Sequence, residues 1–540
     1  MRSSMAAIVA ASTMALAAWL SAADSTLAPL APETISPPRP TTRTAERSPE
    51  SAASIPRRYL GVSSCASAAC HGGPISPDPG AKWRSSYTVW ATLDKHSRAF
   101  SVLFEPRSKR IVQLLDHLPS VDQAKPYQDE RCLACHSAGQ STESTATSVL
   151  ADGVGCELCH GPAQNWLKRH TERAWLDSRT ASATFKALPD MTDTRDLLPR
   201  ATACAKCHVG SREPGQPARD VNHDLIAAGH PRLNFEFHAY LGVMPKHWTD
   251  EPGKKPNYKT DRETQAAAWA IGQAVSAEAA LNLIAARAAA DKPLSDPAAK
   301  TLPIARHPEF SEYDCYACHH ELSSKFPSGR QALARTTPGH DSPGSLPRSV
   351  WYLTSPRLLS EVRPVLAPNE QRAELLTKLI DDTWSPDDPS AADQNAGELA
   401  ASMHHLAEAA ASASWDESMI DRLLAHATNA STLAPNWDSA AQRFLALEAL
   451  LAARRELHAR SGQSVSGDEL EIDQALGEVR KLLEFGISGS VESREPVRRA
   501  PGQTAPRVDS PRGYDPLAVQ RAFARVFAAV GKTLRGEVGK

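Results

Sequence analysis

Apolar positions recur with a helical period over much of the C-terminal half of the chain. In DSAAQRFLALEALLAARRELHAR, Phe444, Leu447 and Leu451 fall at i, i+3 and i+7 on one helical face, and Asp438 stands where an N-cap belongs. Residues 349–488 read as a helical domain, without strand alternation, metal-ligand spacing or a nucleotide-binding loop. Upstream, TQAAAWAIGQAVSAEAALNLIAARAAA predicts a long Ala-rich helix that buries one face. Within 514–540, PLAVQRAFARVFAAVGKTL predicts a terminal amphipathic helix that docks back on the helical domain or binds a partner. Nearer the N-terminus the pattern weakens. In YTVWATLDKHSRAFSVLF, Trp90, Leu93, Phe100 and Leu103 keep helical spacing and place His96 on a short amphipathic helix. The fold class expected is mainly α, with little regular sheet.

The 540 residues exceed one compact core. Sixty basic and 62 acidic residues nearly cancel, and no basic stripe stands out, so nucleic acid is not an expected partner. The opening MRSSMAAIVAASTMALAAWLSAADS has a basic start, a short apolar run and small residues for cleavage, the pattern of a signal peptide over 1–23. Export to the periplasm follows, with no transmembrane segment expected in the mature chain. Two Pro-rich tracts, 24–57 and 489–513, read as linkers, the first as a disordered Pro/Ser/Thr-rich tether. They leave 58–348 as a separate domain that holds all ten cysteines.

Those cysteines form five local pairs: Cys65 with Cys70, Cys132 with Cys135, Cys156 with Cys159, Cys204 with Cys207, and Cys315 with Cys318. A histidine follows the second cysteine each time: His71, His136, His160, His208 and His319. C-x-x-C-H is the attachment site of c-type haem. Two thiols bond the porphyrin, and the adjacent imidazole becomes the proximal ligand of its iron. Zinc knuckles also use C-x-x-C, but they do not require a histidine directly after the second thiol. Five haem c groups are expected. The first site, CASAACH, has four residues between its cysteines. A longer loop can still reach both attachment points; haem held by Cys70 alone, or none, are the alternatives.

Each iron takes a second axial ligand or stays open to a small molecule. Of the 19 histidines, those between the first and last motifs are the pool for this role. His96 stands on its amphipathic segment. His223, His230 and His238 cluster in DVNHDLIAAGHPRLNFEFHAY, where at least one is expected to reach a haem.

Several of these segments together resemble the nitrifier-type tetrahaem cytochrome c family, the electron acceptor of hydroxylamine oxidoreductase. CASAACH with YTVWATLDKHSRAF resembles its first site, KPYQDERCLACH its second, GVGCELCHGP with a histidine ten residues on its third, and ATACAKCH its fourth. The resemblance covers roughly 60–250. It implies that His170 is the distal ligand of the first haem, that His96 serves the haem of His160, and that the second-site haem is open. For the fourth haem it implies a downstream histidine, here His230 or His238, with His223 a contender for the fourth or fifth. The wide Cys65–Cys70 spacing, the fifth site and the long C-terminal part depart from the family pattern.

The expected function is a periplasmic multihaem electron carrier between redox partner proteins. The alternative is an oxidoreductase acting on a small nitrogen or sulfur compound at an open second haem. No C-x-x-C-K motif occurs.

Overall fold

The computed structural model describes residues 58–137, 147–178, 188–213, 216–248, 261–290, 309–313, 351–353, 359, 389–429, 437–460, 467–483 and 515–538. The segments expected as signal peptide and linkers, and the fifth motif with Cys315, Cys318 and His319, lie outside them. Contacts separate Met1–Ile55 from Pro56–Lys540, and every described residue belongs to the second unit. Regular structure among the described residues is helical; a single antiparallel bridge joins Ser211 and Arg219.

Two styles of backbone divide the chain. From 58 to 248 the helices are short and broken by 3₁₀ turns: Ser86–Leu93, Pro106–Leu115, Glu130–His136, Cys156–His160, Leu197–His208, His223–Ala228 and Phe237–Val243 are representative. Beyond 260 they are long: Asp261–Ala290, Pro389–Ser412, Glu417–Ala427, Trp437–Arg460, Gly467–Leu483 and Pro516–Val538. None of the described helices is long and apolar enough to cross a membrane.

The long helices hold the main core. Trp269, Ile271 and Leu281 of Asp261–Ala290 pack in one cluster with Leu399, Trp415, Phe444 and Phe523. The same cluster takes in Ala201 and Ala205 of the fourth-motif helix and Phe235 and Phe237 beyond it. Alanine is the right filler here, because a small side chain lets helix backbones approach closely at no cost in helix propensity. Gly272 takes this furthest: a Cβ there would stand 2.4 Å from the Cβ of Phe237. The terminal helix Pro516–Val538 buries Val519, Phe523 and Val526 in the same core.

Two sequence expectations shift locally. Helix Trp437–Arg460 begins one residue earlier than expected, so Asp438 sits in its first turn and binds Arg232 instead of capping. The helix at Ser86–Leu93 stops before His96. Asp94 is extended, and its carboxylate accepts from the His96 backbone N–H, starting a separate 3₁₀ turn over Lys95–Arg98. A capping carboxylate satisfies an N–H that the end of a helix leaves without a partner.

Candidate haem-binding site

The first of the four described motifs, 65–71, lies in turns after the 3₁₀ helix Val62–Ser64, while the other three lie on helices that deliver the histidine at the helix end. Glu130–His136, Cys156–His160 and Leu197–His208 all terminate on it. After His160, Gly161 turns the chain at φ +85°, and a Cβ there would lie 2.0 Å from the Asp190 carbonyl oxygen, so only glycine fits. Gly153 and Val154, just before the third motif, lock onto the first-site segment. Trp90 Nε1 donates to the Val154 carbonyl at 2.9 Å, and Val154 N–H donates to the His96 carbonyl at 3.1 Å. Glu157, inside the motif, is buried. Its carboxylate accepts backbone N–H groups from Leu60, Gly61 and Ala163 at 2.6 to 3.0 Å. One residue thus ties the entry of the first site to the third.

All eight described cysteines are free thiols. The thiol of Cys65 touches that of Cys156, and that of Cys135 touches that of Cys207, so motifs one and three, and two and four, adjoin. Burial pushes the thiols of Cys132 and Cys204 up to about 12 and that of Cys159 to about 11.

The histidines come in pairs. His71 and His170 have ring centres 6.3 Å apart with planes 13° from parallel. His160 faces His247 at 6.4 Å and 72°, His136 faces His230 at 6.4 Å and 88°, and His208 faces His96 at 5.9 Å and 85°. These separations are too large for face-to-face contact. Two imidazoles on opposite sides of one metal, each bonded at about 2.0 Å, have ring centres about 6 Å apart. The donor set therefore fits haem iron with two imidazole ligands at each described motif. Among the described residues, no group of three His, Cys, Asp or Glu side chains gathers as a compact metal-ion site.

Second contacts orient the rings. Nδ1 of His71 meets the Trp83 carbonyl at 2.7 Å, that of His136 the Ala99 carbonyl at 2.8 Å, and that of His230 the Pro231 carbonyl at 2.8 Å. His170 Nδ1 bonds the Leu167 carbonyl, and His160 Nδ1 lies 3.3 Å from Thr194 Oγ1. A carbonyl partner places the proton on Nδ1 and leaves the Nε2 lone pair for a metal. His96 Nδ1 instead meets the buried Asp94 carboxylate at 2.9 Å. His208 stacks on Phe235 at 5.1 Å and meets Tyr240 edge-on. Burial lowers His160 and His208 to about 4 and shifts His136, His230 and His247 downward, so these rings stay neutral, the ligating form. For His96, burial acts downward but Asp94 outweighs it, and the net shift is upward.

The structure brings His170 to His71, the pair that the resemblance implies. It redistributes the others. His96 stands at His208 rather than His160, because the Asp94-capped turn swings it off the helix axis. His230 stands at His136, the site expected open. His238 faces no motif histidine; its Nε2 hydrogen bonds Gln265, which continues to Glu456 of the helical region. His223 rests against Phe310, its N–H held by Glu309. His247 belongs to the pool between the first and last motifs, but no local pattern singles it out. It follows Pro245 in an irregular stretch with no periodic pattern, and its one sequence signal is that four irons need four partners within a single segment.

The turn at 351–353 and the helix Trp437–Arg460 reach the stretch that follows His230. Trp351 Nε1 donates to the Phe235 carbonyl at 3.0 Å, and the Tyr352 hydroxyl to the Leu233 carbonyl at 2.6 Å. Trp351 in turn stacks on Trp437 at 5.7 Å. Arg232 pairs with Asp438 at 2.8 Å, and both are largely buried.

Residues 65–161 match the family model described as cytochrome c554 and c-prime. Over 100 residues the chain is 30% identical to cytochrome c-554 of Nitrosomonas europaea, a stretch covering 16% of this chain and 39% of that protein. The chain thus spans about two-fifths of the length of the curated relative it matches. No solved structure matches.

Proposed function

Starting from a segment similar to nitrifier-type cytochrome c554, we propose that this chain is a multihaem c-type cytochrome that carries electrons between redox partner proteins. The observation that carries the reading is that every described motif histidine faces a second histidine across a separation of 5.9 to 6.4 Å. When bound, haem c supplies a one-electron iron couple. The chain's residues do the rest. Cys65, Cys70, Cys132, Cys135, Cys156, Cys159, Cys204 and Cys207 hold the porphyrins by thioether bonds. His71, His136, His160 and His208 ligate from one side. His170, His247 and His96 close the first, third and fourth irons from the other. The hydrogen bonds at Nδ1 set how strongly each imidazole donates, and so tune potential. Cys315, Cys318 and His319 would hold a fifth haem, with His223 a candidate partner. A periplasmic site of action accords with the N-terminal pattern and with the chemistry of haem attachment.

Two-ligand closure supports a carrier over an enzyme, because an iron with both axial positions filled has no place for a substrate. The test is to reduce the purified protein and mix it with an oxidised small soluble cytochrome. Rapid, complete and reversible electron transfer is expected, without consumption of hydroxylamine, nitrite or sulfite. Turnover of one of these compounds would overturn the carrier reading.

A further inference from the structure

We propose that the haem of the second motif is closed by His230, so that this chain has lost the open iron that its resemblance to the nitrifier-type family implies. The inference rests on the multihaem reading above and concerns one ligand. His136 and His230 stand 6.4 Å apart with planes at 88°. Separation alone does not suffice: His404 and His405 are 6.2 Å apart, yet they are exposed neighbours on one helix with Nδ1 atoms turned to Glu278 and Glu408. Three further observations set the His136–His230 pair apart.

First, both rings present Nε2. Each uses Nδ1 on a main-chain carbonyl at 2.8 Å, Ala99 for His136 and Pro231 for His230. The N–H is thereby fixed on the far side of both rings, as in metal-bound imidazoles. Second, His230 is held in place from several directions. Its N–H bonds the Leu225 carbonyl at 2.9 Å. Gly229, at φ +117°, ends helix His223–Ala228, and its carbonyl accepts from Arg107 at 2.6 and 3.0 Å. Downstream, the Tyr352 hydroxyl anchors the Leu233 carbonyl. Third, the other three described motif histidines have partners in the same range, so the second site follows the chain's own rule.

The experiment compares the intact haem-loaded protein with His230→Ala, using carbon monoxide on the dithionite-reduced forms and electron paramagnetic resonance on the oxidised forms. The replacement is expected to raise the carbon monoxide-reactive fraction by one haem per chain and to add one high-spin ferric signal, at unchanged haem content. His238→Ala is expected to change neither. If His230→Ala leaves both fractions as in the parent, His230 is not a ligand and the inference fails, while the multihaem reading survives. If the parent has no haem bands at all, the reading beneath it fails instead. His230→Met guards against misfolding of the alanine variant. It supplies a thioether to the same iron and is expected to keep it low-spin, raise its potential and add the near-infrared band of methionine ligation. Absence of that band, with all potentials unmoved, would equally overturn the assignment.

Discussion

The haem-motif region and the long-helix region solve the burial problem in opposite ways. Beyond residue 260, large side chains such as Trp269, Trp415 and Phe444 are almost wholly buried against one another. Before residue 248, apart from the residues that join the main core, the apolar cluster is small: Ala163, Trp166, Trp175 and Leu188. Backbone there is fixed by carboxylates such as Glu157 and Asp94, by indole-to-carbonyl bonds and by glycine turns. On the multihaem reading proposed above, a segment that short in apolar contacts relies on its prosthetic groups to serve as core. The long helices do not, and the Arg232–Asp438 ion pair, with Trp351 and Tyr352, ties them to the stretch that follows His230. On that reading one region is built around cofactors, the other around its own side chains.

The most severe way to probe this contrast is to remove one haem. Cys156→Ser with Cys159→Ser is expected to abolish the folded haem-motif region, because cofactor binding and folding are coupled, while the circular dichroism of the long helices largely persists. Full unfolding of both would erase the distinction. Next, Trp269→Ala, cut from the apolar core, is expected to cost about 3–5 kcal/mol in denaturant titration and to leave the optical spectrum of assembled protein unchanged. Arg232→Ala removes the cation that pairs with the largely buried Asp438 carboxylate. It is expected to cost about 3 kcal/mol and, unlike the core change, to disturb the stretch after His230, seen as altered low-spin resonances of the His136 haem. Smallest is Asp94→Asn. It removes the negative charge behind His96, which favours the ferric state, so the His208 haem potential is expected to rise, by ~59 mV for each tenfold loss of ferric preference. Spectroelectrochemical titration of parent and variant reads this directly.

Legibility followed the same divide. The helical domain was readable because Phe444, Leu447 and Leu451 repeat with the period of a buried face. The residues proposed to attach haem were readable as motifs because two thiols and a ring must stand at a fixed spacing. Distal partners were not. An axial ligand needs only to arrive at the right point in space, and His247 does so from an irregular stretch after Pro245. His96 illustrates the limit of periodicity, since Asp94 breaks the helix two residues ahead of it and redirects it to His208. His238 had the same sequence context as His230, yet a glutamine from the long helix takes its Nε2.

Covalent haem per chain, measured as the pyridine haemochrome that remains after acid–acetone extraction, tests the central claim most directly. The account predicts five haems, all resistant to extraction, four of them at the motifs of His71, His136, His160 and His208. A colourless protein, or one whose colour is extracted completely, would contradict it.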